Sequence, residues 1–93
     1  MPIVYLTHTE PELAERMVEN WSEPALYASA RGYELNAVNA ARQATAARAN
    51  GDEDRAEAYT SDAQWHLAMA ADMRAIWQVK VQMTKKQAVK HAA

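Results

Sequence analysis

Small and apolar side chains recur along the middle of the chain at alternating steps of four and three residues. The members of this stripe are Leu26, Ala30, Tyr33, Ala37, Ala40, Ala44 and Ala47. Such steps place every member on one face of an α-helix, as in a coiled-coil seam. The stripe predicts a helix over residues 23–50, with a kink where Gly32 interrupts it. Because most members are alanine, a partner helix can approach to the short end of the usual ~8–10 Å.

A longer helical pattern begins near residue 53 and carries two adjoining stripes. The first consists of Ala56, Tyr59, Ala63, His66, Ala70, Met73 and Trp77, and the second of Trp65, Met69, Asp72, Ile76, Val79 and Met83. Two adjoining stripes form a wider apolar surface than one neighbouring helix covers. We therefore predict a helix over residues 52–88 that contacts more than one partner helix. The polar run 60–62 is the point at which this helix could break.

Two predicted helix starts share one pattern: Thr9 and Ser22 each stand two residues before a proline. A hydroxyl residue favours the N-cap, and proline is tolerated in the first turn, where its missing N–H has no helical partner. Thr9 with Glu12 also fits a capping box. The first start predicts a short helix over residues 10–20, whose apolar face is Leu13, Met17 and Trp21.

The clearest turn signal is the run Asn50, Gly51 and Asp52. Asn50 or Gly51 can adopt the left-handed conformation that ends a helix, and Asp52 can cap the next one. This run predicts that the two long helices form an antiparallel hairpin.

The predicted last helix is too long for a compact monomer of this size. The last helix would extend for ~50 Å at ~1.5 Å per residue, whereas a compact domain of this size has a radius of gyration of ~12 Å. We therefore predict a single all-α domain over residues 1–93, a long antiparallel helical hairpin with a short N-terminal helix, assembling as a dimeric helical bundle. Residues 1–8 are predicted to be an extended arm, since the segment 3–6 has β propensity.

The composition also indicates that the core of a single copy would be thin. Of 93 residues 49% are hydrophobic, but 21 of the chain's residues are alanine, so few large side chains remain for a core. The chain has no cysteine, which excludes disulfides and thiol catalysis. It has no apolar run of ~20 residues and no signal-peptide pattern, so we expect a cytoplasmic protein without a membrane segment. Heavy use of alanine and arginine suggests a bacterial or phage genome.

Charge is segregated along the chain. The net charge is −2, but residues 1–23 carry −4, residues 24–51 carry +2, residues 52–72 carry −5 and residues 73–93 carry +5. Acids at a helix start and bases at its end complement the helix dipole. The simplest interpretation is therefore local helix stabilisation.

Two local patterns offer alternative functions. Asp62 and His66 lie one helical turn apart and could hold a metal or small ligand on one helix face, although a core or interface histidine is the simpler interpretation. The lysines at the end of the chain, Lys80, Lys85, Lys86 and Lys90, could contact nucleic acid. The acidic balance of the whole chain disfavours nucleic acid as the partner.

No nucleophile elbow, phosphate loop or convergent acid–base pair is present, so we expect no catalysis and assign no cofactor, metal or catalytic residue. We predict a non-enzymatic protein–protein interaction module acting as a homodimer: an adaptor, inhibitor or regulatory subunit. The small size and the lack of catalytic motifs suggest a phage or mobile element as its source. Tryptophan and tyrosine dominate binding hot spots, and methionine adapts to varied partners. The residues predicted to bind a partner are Trp21, Tyr27, Trp65, Met69, Ile76 and Trp77.

Overall fold

The computed structural model describes residues 6–92, with side chains through Lys90. Within this range it consists of three α-helices, α1 (Pro11–Asn20), α2 (Glu23–Ala49) and α3 (Glu53–Ala92), and no strand. The predicted all-α class is thereby confirmed for this part of the chain. Residues 1–5 of the predicted arm lie outside the described residues, and residues 6–10 are neither helix nor strand.

α2 and α3 form the predicted antiparallel hairpin, and the turn between them uses the expected residues. Gly51 adopts the left-handed conformation with φ of 77°, whereas Asn50 has φ of −89°. The side chain of Asp52 accepts a hydrogen bond of 3.1 Å from the backbone N–H of Arg55, which caps the start of α3. Gly51 tolerates this positive φ and therefore allows the chain to reverse here.

The predicted stripes form the interface between the two long helices. In α2 every member of the stripe is buried except Tyr33, which is half-buried. In α3 the alanines of the first stripe and Met73 are buried, and the aromatic members are half-buried. Neither helix breaks at Gly32 or over residues 60–62. The Thr60 hydroxyl donates to the Ala56 carbonyl at 2.9 Å, so its polar group is satisfied without interrupting the helix.

α1 packs along the second stripe of α3 and runs in the same direction. Thr9, just before α1, bonds to Asp72, and the ammonium group of Lys80 donates to the carbonyl of Val18, near the end of α1, at 2.8 Å. α1 buries Ala14, Met17 and Val18. The predicted apolar face was wrong for two of its three members, because Leu13 and Trp21 are exposed. Ala14 and Val18 are the smaller side chains, and this orientation lets α1 lie close to α3.

The N-cap of α1 also differs from the prediction. Glu10 occupies that position and makes no side-chain capping bond, so the capping box of Thr9 with Glu12 was wrong. The Thr9 hydroxyl donates instead to the carboxylate of Asp72 at 3.0 Å. The second cap is confirmed, since the Ser22 hydroxyl accepts from the backbone N–H of Ala25 at 3.2 Å.

The molecule is a rod of 63 × 21 × 16 Å. α3 has 40 residues and α2 has 27, so the end of α3 extends beyond the start of α2 by about 20 Å at 1.5 Å per residue. The large buried side chains, Leu26, Ile76 and Val18, lie together where all three helices meet. None of the helices in residues 6–92 is long and apolar enough to cross a membrane.

Candidate interaction surface

The six predicted partner-binding residues differ widely in exposure. Trp21, Tyr27 and Trp65 are 43%, 42% and 44% exposed, while Met69 and Trp77 are half-buried. Ile76 is 0% exposed, and its place in this set is corrected. Its side chain fills the core between the three helices and offers no surface to a partner.

The remaining residues do not form one surface, because they lie on two flanks of the hairpin. The carboxylate of Asp72 contacts residues 7–9, so α1 and the segment before it lie on the flank that Asp72 faces. Arg74 follows two residues later, and two residues turn the helix by about 200°. Arg74 therefore lies on the opposite flank. We call the flank covered by α1 the α1 face, and the opposite flank the open face.

The open face consists of three residues from each long helix. In α2 these are Tyr27, Glu34 and Val38, and in α3 they are Leu67, Arg74 and Trp77. The ring of Tyr27 lies 5.4 Å from that of Trp77, tilted by 59°, which joins the two helices. Val38 is 47% and Leu67 55% exposed, although both side chains are aliphatic.

A polar pair lies at the centre of the open face. The guanidinium group of Arg74 is hydrogen-bonded to the carboxylate of Glu34 and lies 5.5 Å from the centre of the Tyr27 ring. The Arg74 hydrogen bond, followed by one from Arg31, lowers the pKa of Glu34, and the Glu34 hydrogen bond raises the pKa of Arg74. Both groups therefore stay charged near neutral pH, and the pair joins α2 to α3.

On the α1 face an aromatic cluster meets the segment before α1. The rings of His8 and Trp65 stack at 6.1 Å, and Trp65 also meets Tyr33 at 6.0 Å and His66 at 5.1 Å. The backbone N–H of His8 donates to Asp72 at 2.9 Å. Trp65 therefore contacts the N-terminal segment, residues 6–10, through His8, and 44% of Trp65 remains exposed.

Asp72 is the residue that holds this segment. It is 2% exposed, and its carboxylate accepts from the backbone N–H groups of Thr7, His8 and Thr9 and from the Thr9 hydroxyl, at 2.7–3.1 Å. Burial raises the pKa of Asp72, but these hydrogen bonds lower it more, so the net pKa lies below the usual value of an aspartate. The sequence places Asp72 in an apolar stripe of α3. A carboxylate at a position that should be buried is the one sequence signal of its role, because a buried charge needs hydrogen-bond partners.

The proposed histidine site receives no second ligand pair. Within residues 6–92 no group of three or more histidine, cysteine, aspartate or glutamate side chains could hold a metal ion. Nδ1 of His66 lies 2.8 Å from the backbone carbonyl oxygen of Asp62 and 3.6 Å from its carboxylate. The Asp62–His66 pair is thus a local contact within one helix turn.

The lysines in the last part of α3 differ in their contacts. Lys80 donates to one of the last carbonyls of α1, a favourable place for a cation at a helix C-terminus. Lys85, Lys86 and Lys90 are exposed on the part of α3 that extends beyond α2. At the other end of the rod, the first turns of α3 carry Glu53, Asp54 and Glu57, all exposed.

Comparison of the chain with protein-family models, with curated proteins and with solved structures gives no match.

Proposed function

We propose that this chain is a non-enzymatic protein–protein interaction module that works as a homodimer and binds through its open face. The observation that carries the proposal is the area that the rod leaves uncovered. A compact monomer of this mass exposes about 5,400 Å², whereas this chain exposes 6467 Å². The difference is about 1,100 Å², and a stable protein–protein interface buries about 800 Å² of each partner.

The kind of surface left uncovered favours a protein partner. Tyrosine, tryptophan and arginine are the residue types most enriched at binding hot spots, and the open face holds one of each, with Tyr27 in contact with both Trp77 and Arg74. Exposed aliphatic side chains from both helices, Val38 and Leu67, flank that group. An apolar patch with a charged pair at its centre is typical of an interface in which buried apolar area supplies affinity and the charged pair supplies specificity.

The position of the open face suits an added helical layer. α1 covers only the opposite flank, so nothing within residues 6–92 packs over Val38 or Leu67. Two helices joined by an alanine seam form a thin layer, and a second such layer would complete a four-helix bundle. The roles of adaptor, inhibitor or regulatory subunit, and the cytoplasmic setting expected from the sequence, belong to the same proposal.

The test introduces one charge into the open face and measures the molar mass in solution. We expect light scattering to give twice 10.4 kDa for the native chain, and a monomer for Val38→Glu or Leu67→Glu. Leu35→Glu is the matched control, because Leu35 is also an exposed leucine of a long helix but points away from α3. Circular dichroism must show unchanged helix content in all three variants.

Two results would contradict the proposal. A native chain that is monomeric at every concentration tested would remove the homodimer. A native dimer that survives both open-face substitutions, but not Leu35→Glu, would place the interface elsewhere.

A further inference from the structure

The occupant of the open face follows from the charge along the rod. We propose that a second copy of this chain packs on the open face in the antiparallel direction, with the lysine-bearing end of α3 lying against the acidic start of the partner copy's α3. This inference rests on the proposed function and adds the direction and register of the dimer.

Symmetry leaves two arrangements for two rods that share one face. A twofold axis along the rods makes them parallel and places α2 of one copy over α3 of the other. A twofold axis across the rods makes them antiparallel and places α3 over α3. α3 spans nearly the whole rod, because 40 residues at 1.5 Å per residue extend for about 60 Å.

The antiparallel arrangement covers the part of α3 that α2 leaves bare. When the two copies of α3 overlap fully, residue 53 of one copy lies opposite residue 92 of the other. The extension beyond α2 then packs on the first turns of the second copy's α3. In the parallel arrangement both extensions project from the same end, and α2 of neither copy reaches them.

Charge favours the same arrangement. Full antiparallel overlap places Lys85 and Lys86 opposite residues 59–60 of the second copy, within one turn of Glu57 and about two turns of Glu53. Asp54 and Lys90 each lie five turns from Asp72, share the α1 face with it and take no part in this contact. Parallel packing would bring the two lysine clusters together, and like charges that meet across an interface are unfavourable. Exposed ion pairs contribute only modestly each, so in this dimer they select the direction while the apolar residues of the open face supply the affinity.

The absence of cysteine from the sequence makes a direct test of direction simple. Thr60 and Gln82 lie on the open-face side of α3 and are opposite one another, within one turn, in the antiparallel dimer. We prepare Thr60→Cys and Gln82→Cys separately and treat each alone, and then their equimolar mixture, with a short bismaleimide. The expected result is a covalent dimer in the mixture and little from either protein alone.

Charge reversal supplies the second arm of the test. Lys85→Glu with Lys86→Glu, and separately Glu53→Lys with Glu57→Lys, should each weaken the dimer by roughly tenfold to a hundredfold at low salt. Each exposed ion pair contributes modestly, but every contact occurs twice in the dimer and reversal turns attraction into repulsion. Mixing the two double variants should restore a dimer of near-native affinity. The restoring effect should fade at high salt, where exposed charges are screened.

Each other outcome has a defined meaning. Failure of the mixture to cross-link, in a chain that light scattering shows to be dimeric, excludes the antiparallel register and overturns this inference while the proposed function stands. A monomeric native chain overturns both. Unchanged dimer affinity in the lysine variant, together with loss of salt-dependent DNA binding, would assign the lysines to nucleic acid and also overturn the inference.

Discussion

Replacing Asp72 by asparagine should detach the N-terminal segment from α3. The side chain keeps its size but loses its charge, and its amide group places a donor where the native carboxylate accepts from three backbone N–H groups and one hydroxyl. A hydrogen bond to a charged group contributes about 1.5–3 kcal/mol. The four bonds do not add in full, because in the variant residues 7–9 can separate from α3 and bond to water.

We expect Asp72→Asn to lower the free energy of unfolding at pH 7 by about 2–4 kcal/mol, because several donors of residues 7–9 lose their charged acceptor. A chain of this length has a total stability of about 5–14 kcal/mol, so the loss is large. Urea titration measures it, at one fixed protein concentration because association adds to apparent stability. Hydrogen exchange at the amides of Thr7, His8 and Thr9 should accelerate. The control is Asp62→Asn, an exposed carboxylate on the same helix, which should change stability by less than about 0.5 kcal/mol.

The direction of the pKa shift of Asp72 determines how its contribution to stability depends on pH. The pKa of Asp72 is lower in the folded chain than in the unfolded chain, so its contribution is complete above the unfolded value of about 3.9 and is lost as pH falls through the folded pKa. The stability difference between native chain and Asp72→Asn should therefore be constant from pH 7 to about 5 and shrink below about pH 4. A variant that matches the native chain at pH 7, with the three amides still protected, would refute this account of the N-terminal segment.

Three further substitutions test the helices themselves by thermal or urea unfolding. Gly32→Ala should stabilise the chain by about 0.5–1 kcal/mol, because nothing lies within 4 Å of the added methyl group; a loss would mean that α2 needs glycine there. Ser22→Ala should cost about 1 kcal/mol, whereas Glu10→Ala, which removes no capping bond, should cost much less; equal costs would contradict the assigned caps. Ala44→Leu should cost about 1–3 kcal/mol by overpacking the seam, and a neutral result would mean that the helices can separate without penalty.

The hairpin was predictable from sequence because its signals are local or periodic. The stripe from Leu26 to Ala47 repeats at helical spacing over six turns, and every member is buried or half-buried. Gly51 and Asp52 specify the turn through backbone conformation and capping, which depend on few neighbours. Burial of a stripe does not reveal which flank a third helix will cover.

The contacts that sequence reasoning missed join residues far apart in the chain. Asp72 bonds to residues more than sixty positions away, and no local pattern indicates that pairing. Thr9 fits a capping box by spacing, but the buried carboxylate competes for the same hydroxyl and binds it instead. Val38 and Leu67 lie outside the stripes, so their common exposure on one flank is visible only once the register of α2 and α3 is known.

The two ends of the hairpin differ in how much apolar side chain they bury. Where α1 packs, Val18, Leu26 and Ile76 are fully buried, and burying such a side chain contributes about 1.5–3 kcal/mol. Toward the turn the seam is mainly alanine, whose single methyl group contributes about 0.8 kcal/mol, while ordering each residue's backbone costs about 1–2 kcal/mol. Alanine favours the helix and close approach but supplies little burial. The half of the hairpin near the turn therefore gains most from a layer added over Val38 and Leu67, and in an antiparallel dimer each copy supplies that layer to the other.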